Sequence, residues 1–148
     1  LPAILQEIQQ GGVPLQFVLI DGDHSEEGLR NDINDLLRYR PTAPLYIVMH
    51  DSFNPDCRRG IRGAKWAANP HVHLVELDYV SGRLMPKDED GSYRQMWCGI
   101  ALAVLLPEVR TGNLVMHENE PNGYLAAYWA STHPYTGSRH KSAGHRVS

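Results

Sequence analysis

Cysteine is scarce in this chain. Cys57 and Cys98 are the only two, far apart and without the paired spacing of a structural zinc site. Two free thiols in a reducing, cytoplasmic setting are the expected reading, and a disulfide between them the lesser one. Charge of one sign is also lacking: the net charge is −3. That leaves no argument for nucleic acid or a membrane surface as partner. No apolar run reaches the ~18 residues needed to span a bilayer; the longest, Trp97 to Leu106, has ten. No signal-peptide pattern and no internal repeat are visible. What is present fits a soluble domain with a core of its own, with 148 residues of which 42% are hydrophobic. Leu1 to Gln10 reads as a helix with Ile4, Leu5 and Ile8 on one face and Gly11-Gly12 as its stop. A helix already running at the first residue reads as part of something longer.

Two short apolar runs stand out, Phe17-Val18-Leu19-Ile20 and Leu45-Tyr46-Ile47-Val48-Met49. Such runs fit strands buried on both faces of a parallel sheet. Between them, Ser25 can cap a helix with Glu26 and Glu27 in its first turn and Leu29, Ile33, Leu36 and Leu37 along one stripe. Pro41 and Pro44 end it. A third helix is expected over Cys57 to Ala68, with Ile61, Ala64 and Ala68 inward and Arg58, Arg59, Arg62 and Lys65 outward. Gly60 and Gly63 each weaken it by roughly 1 kcal/mol against alanine. Val72 to Val80 reads as a strand, Ser81-Gly82 as a hairpin turn and Arg83-Leu84-Met85 as its short return. Pro86 to Ser92 reads as a surface loop, Trp97 to Leu106 as a strand and Glu120 to Ala130 as a small helix. The domain is expected over residues 1–132, and residues 133–148, rich in Gly, Ser, His and basic side chains, read as a tail. Alternating strand and helix implies a right-handed parallel α/β sheet.

The chemistry sits where the two runs end. The first passes into Asp21-Gly22-Asp23-His24 and the second into His50-Asp51. In an open parallel sheet, ligands bind beyond the carboxyl ends of the strands. Neighbouring strands lie ~4.8 Å apart, so Asp21 and Asp51 would stand side by side and repel. A divalent cation relieves that repulsion. Oxygen ligands favour Mg²⁺, Ca²⁺ or Mn²⁺, with His50 or a water completing the shell. His24, at the mouth of the following helix, would be placed beside the metal to deprotonate a bound hydroxyl. The plainer readings are a turn for Asp-Gly-Asp and a helix-start contact for His24. The Arg58, Arg59, Arg62, Lys65 cluster could hold a phosphate, but a solvated helix face is the simpler account. Trp66, Trp97 and Trp129 default to packing, His71 and His73 to structural roles, and nothing marks Cys57 as a nucleophile.

Phe-Val-Leu-Ile-Asp-Gly-Asp-His-Ser, followed by a helix with Gly28 and Asp32 and then by Ile-Val-Met-His-Asp-Ser, resembles the fourth and fifth strand regions of class I S-adenosylmethionine-dependent methyltransferases. The resemblance is to the branch related to cephalosporin hydroxylase, and it is close from about Phe17 to Ile61. Val72 to Val80 and Trp97 to Leu106 would match the sixth and seventh strands, an antiparallel pair in that fold. It implies a Rossmann-like three-layer sandwich, mostly parallel, with that antiparallel C-terminal pair. Metal-dependent sugar O-methyltransferases are similar at Asp21, His24 and Asp51, as Mg²⁺ ligand, base and Mg²⁺ ligand. His50 stands where the first acid of a pair would be, and Ser52 where catechol-type enzymes have Asn.

The glycine-rich turn and the acid that bind the cofactor in this family have no counterpart here. The resemblance therefore implies the C-terminal half of an O-methyltransferase, with S-adenosylmethionine bound through residues upstream of this chain and poorly or not at all by this chain alone. The expected metal ligands are Asp21, Asp51 and His50, the expected base is His24, and the expected substrate is a small hydroxylated metabolite. A homo-oligomer is left open. Two alternatives remain. One is a metal-dependent nucleotide-sugar glycosyltransferase gripping its metal with Asp21-Gly22-Asp23. The other is a methyltransferase-like scaffold with a dead site.

Overall fold

A computed structural model describes residues 1–85 and 96–119. The expected loop over Pro86 to Ser92, the helix over Glu120 to Ala130, Trp129 and the tail from His133 lie outside the described residues. The elements run α1 (Pro2–Gln10), β1 (Phe17–Ile20), α2 (Glu26–Leu36), β2 (Leu45–His50), α3 (Pro55–Gly63), β3 (Val72–Val80), β4 (Arg83–Leu84), β5 (Met96–Trp97), β6 (Ile100–Leu105) and β7 (Met116–His117). A 3-10 turn over Trp66–Ala68 follows α3.

The fold is α/β, built on a five-stranded mixed sheet in the order β1-β2-β6-β3-β7. β1 and β2 are parallel, β6 is antiparallel to both its neighbours, and β7 is parallel to β3. Four strands thus share one direction and β6 alone is reversed. None of the described helices is long and apolar enough to cross a membrane.

Side chains alternate across a sheet, and register decides which of them share a face. Ile20, Ile47, Met49, Ala101, Ala103, Leu105 and Val75 lie on one side, aligned by the pairs Ile20↔Met49, Met49↔Ala101, Ile47↔Ala103 and Val75↔Ala103. The apolar sides of the three helices join this same cluster: Leu5 from α1, Leu29, Ile33 and Leu36 from α2, Cys57 and Ile61 from α3. Leu29, Ile33 and Leu36 of the stripe expected on α2 are buried, while Leu37 is the half-buried C-cap; Ser25 Oγ accepts a hydrogen bond from Gly28 N at 3.0 Å.

The opposite face differs from expectation. Among the described residues β1 is an edge strand, and it is not buried on both sides. Phe17 is 60% exposed, Leu19 55% and the neighbouring Tyr46 47%. Among the described residues, helices cover only one face of the sheet, so the second helical layer of a three-layer sandwich is not among them. Ile4 is exposed too, leaving Leu5 as the buried residue of α1.

Three further differences have local causes. The hairpin at Ser81-Gly82 does not form; β4 pairs with β5 instead. The apolar run from Trp97 breaks at Cys98 and Gly99, both with positive φ (61° and 81°), which interrupts a ladder and separates β5 from β6. The third helix begins earlier and stops at Gly63, and Ala68 is exposed in the 3-10 turn.

Gly60 weakens α3 by propensity but permits its packing. A Cβ there would stand 2.7 Å from the Glu26 carbonyl oxygen of α2, whereas one at Gly63 would make ordinary contact with Arg30 at 3.5 Å. Gly60→Ala should therefore destabilise the fold by about 1–3 kcal/mol despite alanine's better helix propensity. Gly63→Ala should be neutral or stabilising by up to about 1 kcal/mol. Urea unfolding of both variants checks the contrast; equal effects would refute the close-packing account.

Candidate metal centre

The register of β1 and β2 builds the rim. Ile20 lies beside Met49, so the next residues to meet are Asp21 and His50. His50, the residue before Asp51, is therefore the direct neighbour of Asp21, one position away from the side-by-side carboxylates expected from the sequence. His50 Nδ1 is 3.0 Å from Asp21 Oδ1.

Pleating alone would send Asp51 to the other side of the sheet. The chain avoids this because Asp51 takes a left-handed backbone, φ 57°. Aspartate tolerates that region better than most residues. The turn is held by Asn54 N donating to the Asp51 carbonyl at 2.9 Å. It brings Asp51 Oδ2 to 3.0 Å from His24 Nδ1 and Asp51 Oδ1 to 3.6 Å from His50 Nδ1. The other nitrogen of His24, Nε2, is 3.3 Å from Asp21 Oδ1. All four sequence-predicted site residues, Asp21, His24, His50 and Asp51, are thus brought together.

Their exposures differ. Asp51 is almost buried, with 9% of its side chain exposed, while Asp21, His24 and His50 are between 40% and 50% exposed. One donor atom from each of Asp21, His24 and His50 lies within 4.8 Å of the other two. His50 Nδ1 is buried and has no hydrogen-bond partner, although Asp21 Oδ1 is close by. A buried polar atom left in that condition costs about 1–3 kcal/mol. Carboxylate and imidazole donors with one unsatisfied buried nitrogen fit a divalent cation.

Asp23 does not join the rim. Its Oδ1 accepts from Ser25 N at 2.9 Å and its Oδ2 from Ser25 Oγ at 3.0 Å, so both oxygens serve the start of α2. It packs tightly enough that a Cβ on Gly28 would come within 2.3 Å of Asp23 Oδ2. A cleft of 390 Å³, lined among others by Leu19, Ile20, Asp21, Asp32 and Leu36, opens along β1 and reaches the rim at Asp21. His71 and His73 are structural, with ring nitrogens 3.0 Å from the Leu106 and Glu108 carbonyl oxygens. Trp66 is packed and donates to the Ile61 carbonyl.

The basic face of α3 is committed to acids. Arg59 pairs with Glu26 and Asp56, and Arg62 with Glu118. The Arg59 hydrogen bond lowers the Glu26 pKa, and Glu26 raises that of Arg59. Arg58 is the residue that sequence reasoning misplaced. It is buried, donating from Nη1 and Nη2 to Asp78 Oδ1 and Oδ2 at 2.8 and 3.3 Å, and to the Ser52 carbonyl at 3.3 Å. Its guanidinium lies 5.3 Å from the Phe53 ring centroid. Arg58 thus fastens the loop after Asp51 to β3. An arginine on a mostly basic helix face carries no sequence signal of this, and Asp78 is one of two acids on β3, with Glu76.

No protein-family model, no curated protein and no solved structure matches this chain.

Two consequences are measurable. Arg58→Met leaves the buried Asp78 carboxylate without its cation and should cost about 3–5 kcal/mol in urea unfolding; adding Asp78→Leu should restore much of that. An additive double variant would show that the pair does not act as a unit. Burial, then the charges of Asp51 and Asp56, raise the Cys57 thiol from 9.0 to about 11. The folded state therefore holds this proton more tightly than the unfolded chain. Its contribution to stability is full below about pH 9 and fades as the pH rises through about 11. Cys57 should resist alkylation at pH 8 in the folded protein, and Cys57→Ala should flatten the stability loss between those pH values. Rapid labelling of Cys57 under native conditions would contradict this.

Proposed function

We propose that this chain is the metal-binding, acceptor-side half of a class I S-adenosylmethionine-dependent O-methyltransferase acting on a small hydroxylated metabolite. The observation that carries the reading is the convergence of Asp21, His24, His50 and Asp51 beyond two neighbouring parallel strands. The parallel β1–β2 pair and the antiparallel β3–β6 pair are consistent with the fourth to seventh strands of that fold. On this reading the sheet belongs to a Rossmann-like three-layer sandwich whose other helical layer rests on the face bearing Phe17, Leu19 and Tyr46. Two unpaired thiols suit a reducing compartment such as the cytoplasm.

A divalent ion held at this rim would orient acceptor oxygens and stabilise developing negative charge. Asp21 and His50 would supply its ligands from the strand ends. The buried Asp51 carboxylate steadies the His24 ring through Nδ1. His24 Nε2, facing the rim, takes the proton of the acceptor hydroxyl. The cleft beside Asp21 has the size of a small-molecule site, with apolar walls for the acceptor's carbon frame. The described residues contain no glycine-rich turn for the methyl donor, so the donor must be held by residues outside them, and no step of the transfer is assigned to this chain.

The glycosyltransferase alternative is the less favoured reading, since both Asp23 oxygens accept hydrogen bonds from Ser25 at the helix start and stand apart from the rim group. In the protein that carries this chain together with a cofactor-binding segment, methyl transfer from labelled S-adenosylmethionine to hydroxylated sugars and polyketide-type acceptors is expected. His24→Ala should cut turnover by about 10²-fold or more. Unchanged turnover would remove His24 from the mechanism. Absence of transfer, with thermal stabilisation by a UDP- or GDP-sugar and Mn²⁺, would replace the reading.

A further inference from the structure

The donor atoms at the rim are not those of a magnesium site. Mg²⁺ prefers a near-ideal octahedron of oxygens and keeps several waters. Here two of the three converging donors are imidazole nitrogens. His50 Nδ1 and Asp21 Oδ1 are 3.0 Å apart, and His24 Nε2 and Asp21 Oδ1 are 3.3 Å apart. Ligands held about 2.1 Å from one ion stand about 3.0 Å apart at an octahedral angle and about 3.4 Å apart at a tetrahedral one. These two separations fall in that interval, and the third, between the two imidazole donors, is within 4.8 Å. They also match hydrogen-bond lengths, but His50 Nδ1 makes no hydrogen bond despite its burial. A metal ion would satisfy it.

Asp51 adds a second, independent indication. Its buried carboxylate lies behind His24, at 3.0 Å from Nδ1, while Nε2 faces Asp21. A carboxylate on the far nitrogen of a metal-binding imidazole orients the ring and raises its basicity. The left-handed backbone of Asp51 is what places it there. Backbone strain of this kind persists only where surrounding structure enforces it.

We propose that Asp21, His24 and His50 form a two-histidine, one-carboxylate site for a first-row transition ion such as Zn²⁺, Co²⁺ or Fe²⁺, with Asp51 as the positioning residue of His24. Imidazole donors suit these ions and not magnesium. The inference rests on the reading that the rim binds a divalent cation, and it changes the ligand set expected from the sequence. Asp51 moves behind the ligands and His24 joins them. Coordination occupies the lone pair of His24 Nε2, so this ring can act as a base only while it is released from the ion.

The test uses the chelator-stripped protein and calorimetric titration with Zn²⁺, Co²⁺ and Mg²⁺ separately. One equivalent of Zn²⁺ or Co²⁺ should bind, and millimolar Mg²⁺ should not displace it. Bound Co²⁺ should show visible absorption that shifts in His24→Ala and His50→Ala. Those two variants and Asp21→Asn should lose affinity by about 10-fold or more, and Asp51→Asn by about 10- to 100-fold. His71→Ala should bind as the parent does. The His24 and His50 side chains are about two-fifths exposed, and far-UV circular dichroism of the stripped variants checks that they fold. Binding of Mg²⁺ in preference to Co²⁺ would overturn the transition-ion assignment while leaving a divalent site. Zn²⁺ affinity unchanged in all four variants would place the ion elsewhere and overturn it. Binding of none of the three ions would end both this inference and the metal reading beneath it.

Discussion

The parallel pairing of β1 with β2 is the constraint on which the rest of the site depends. It sets Ile20 beside Met49 and so delivers Asp21 next to His50. A slip of one residue would reverse the face of every β1 side chain. Ile20 would leave the core, and the Asp21 carboxylate would no longer meet the imidazoles. The core therefore enforces the site: Val18 and Ile20 pack on the helix-covered face, and that choice settles what stands at the strand's end.

A second layer of interactions holds the β2 side of the rim. Asp51 reverses into a left-handed turn, Asn54 closes it and caps α3, and Arg58 ties the Ser52 carbonyl to Asp78 on β3. This ion pair has little access to water, with the Arg58 side chain 8% exposed and that of Asp78 1%. Its worth lies less in net stability than in fixing one arrangement of the loop, because either charge alone in that place is costly. On the β1 side the same task falls to Asp23 and Ser25, which fasten the start of α2 and with it the position of His24. The groups at the rim are partly open to solvent, whereas most of those that position them are buried or committed to backbone contacts.

Much of this was legible in the residues. The limits of β3 match the apolar alternation from Val72 to Val80, and α2 follows from Ser25 and the Leu29, Ile33, Leu36 stripe. These features are local, decided by capping, propensity and period. What escaped depends on distant partners. β1 looked buried because Phe-Val-Leu-Ile is apolar throughout, yet apolarity does not say whether a layer covers both faces. Arg58 looked solvent-facing because its helix neighbours are basic, and only the arrival of Asp78 draws it inward. The Cys98-Gly99 break was hidden inside an unbroken apolar run.

The sequence by itself determined which residues are available to the candidate site, because strand ends, caps and acid-imidazole clusters are written in consecutive positions. Tertiary structure alone decided how they are shared out. Asp23 went to the helix start, Asp51 to the back of His24, and His50 to the side of Asp21. These assignments depend on a strand register and on one backbone torsion, and neither can be read from the order of side chains. Both are settled only when separate segments compete for the same space in a common core.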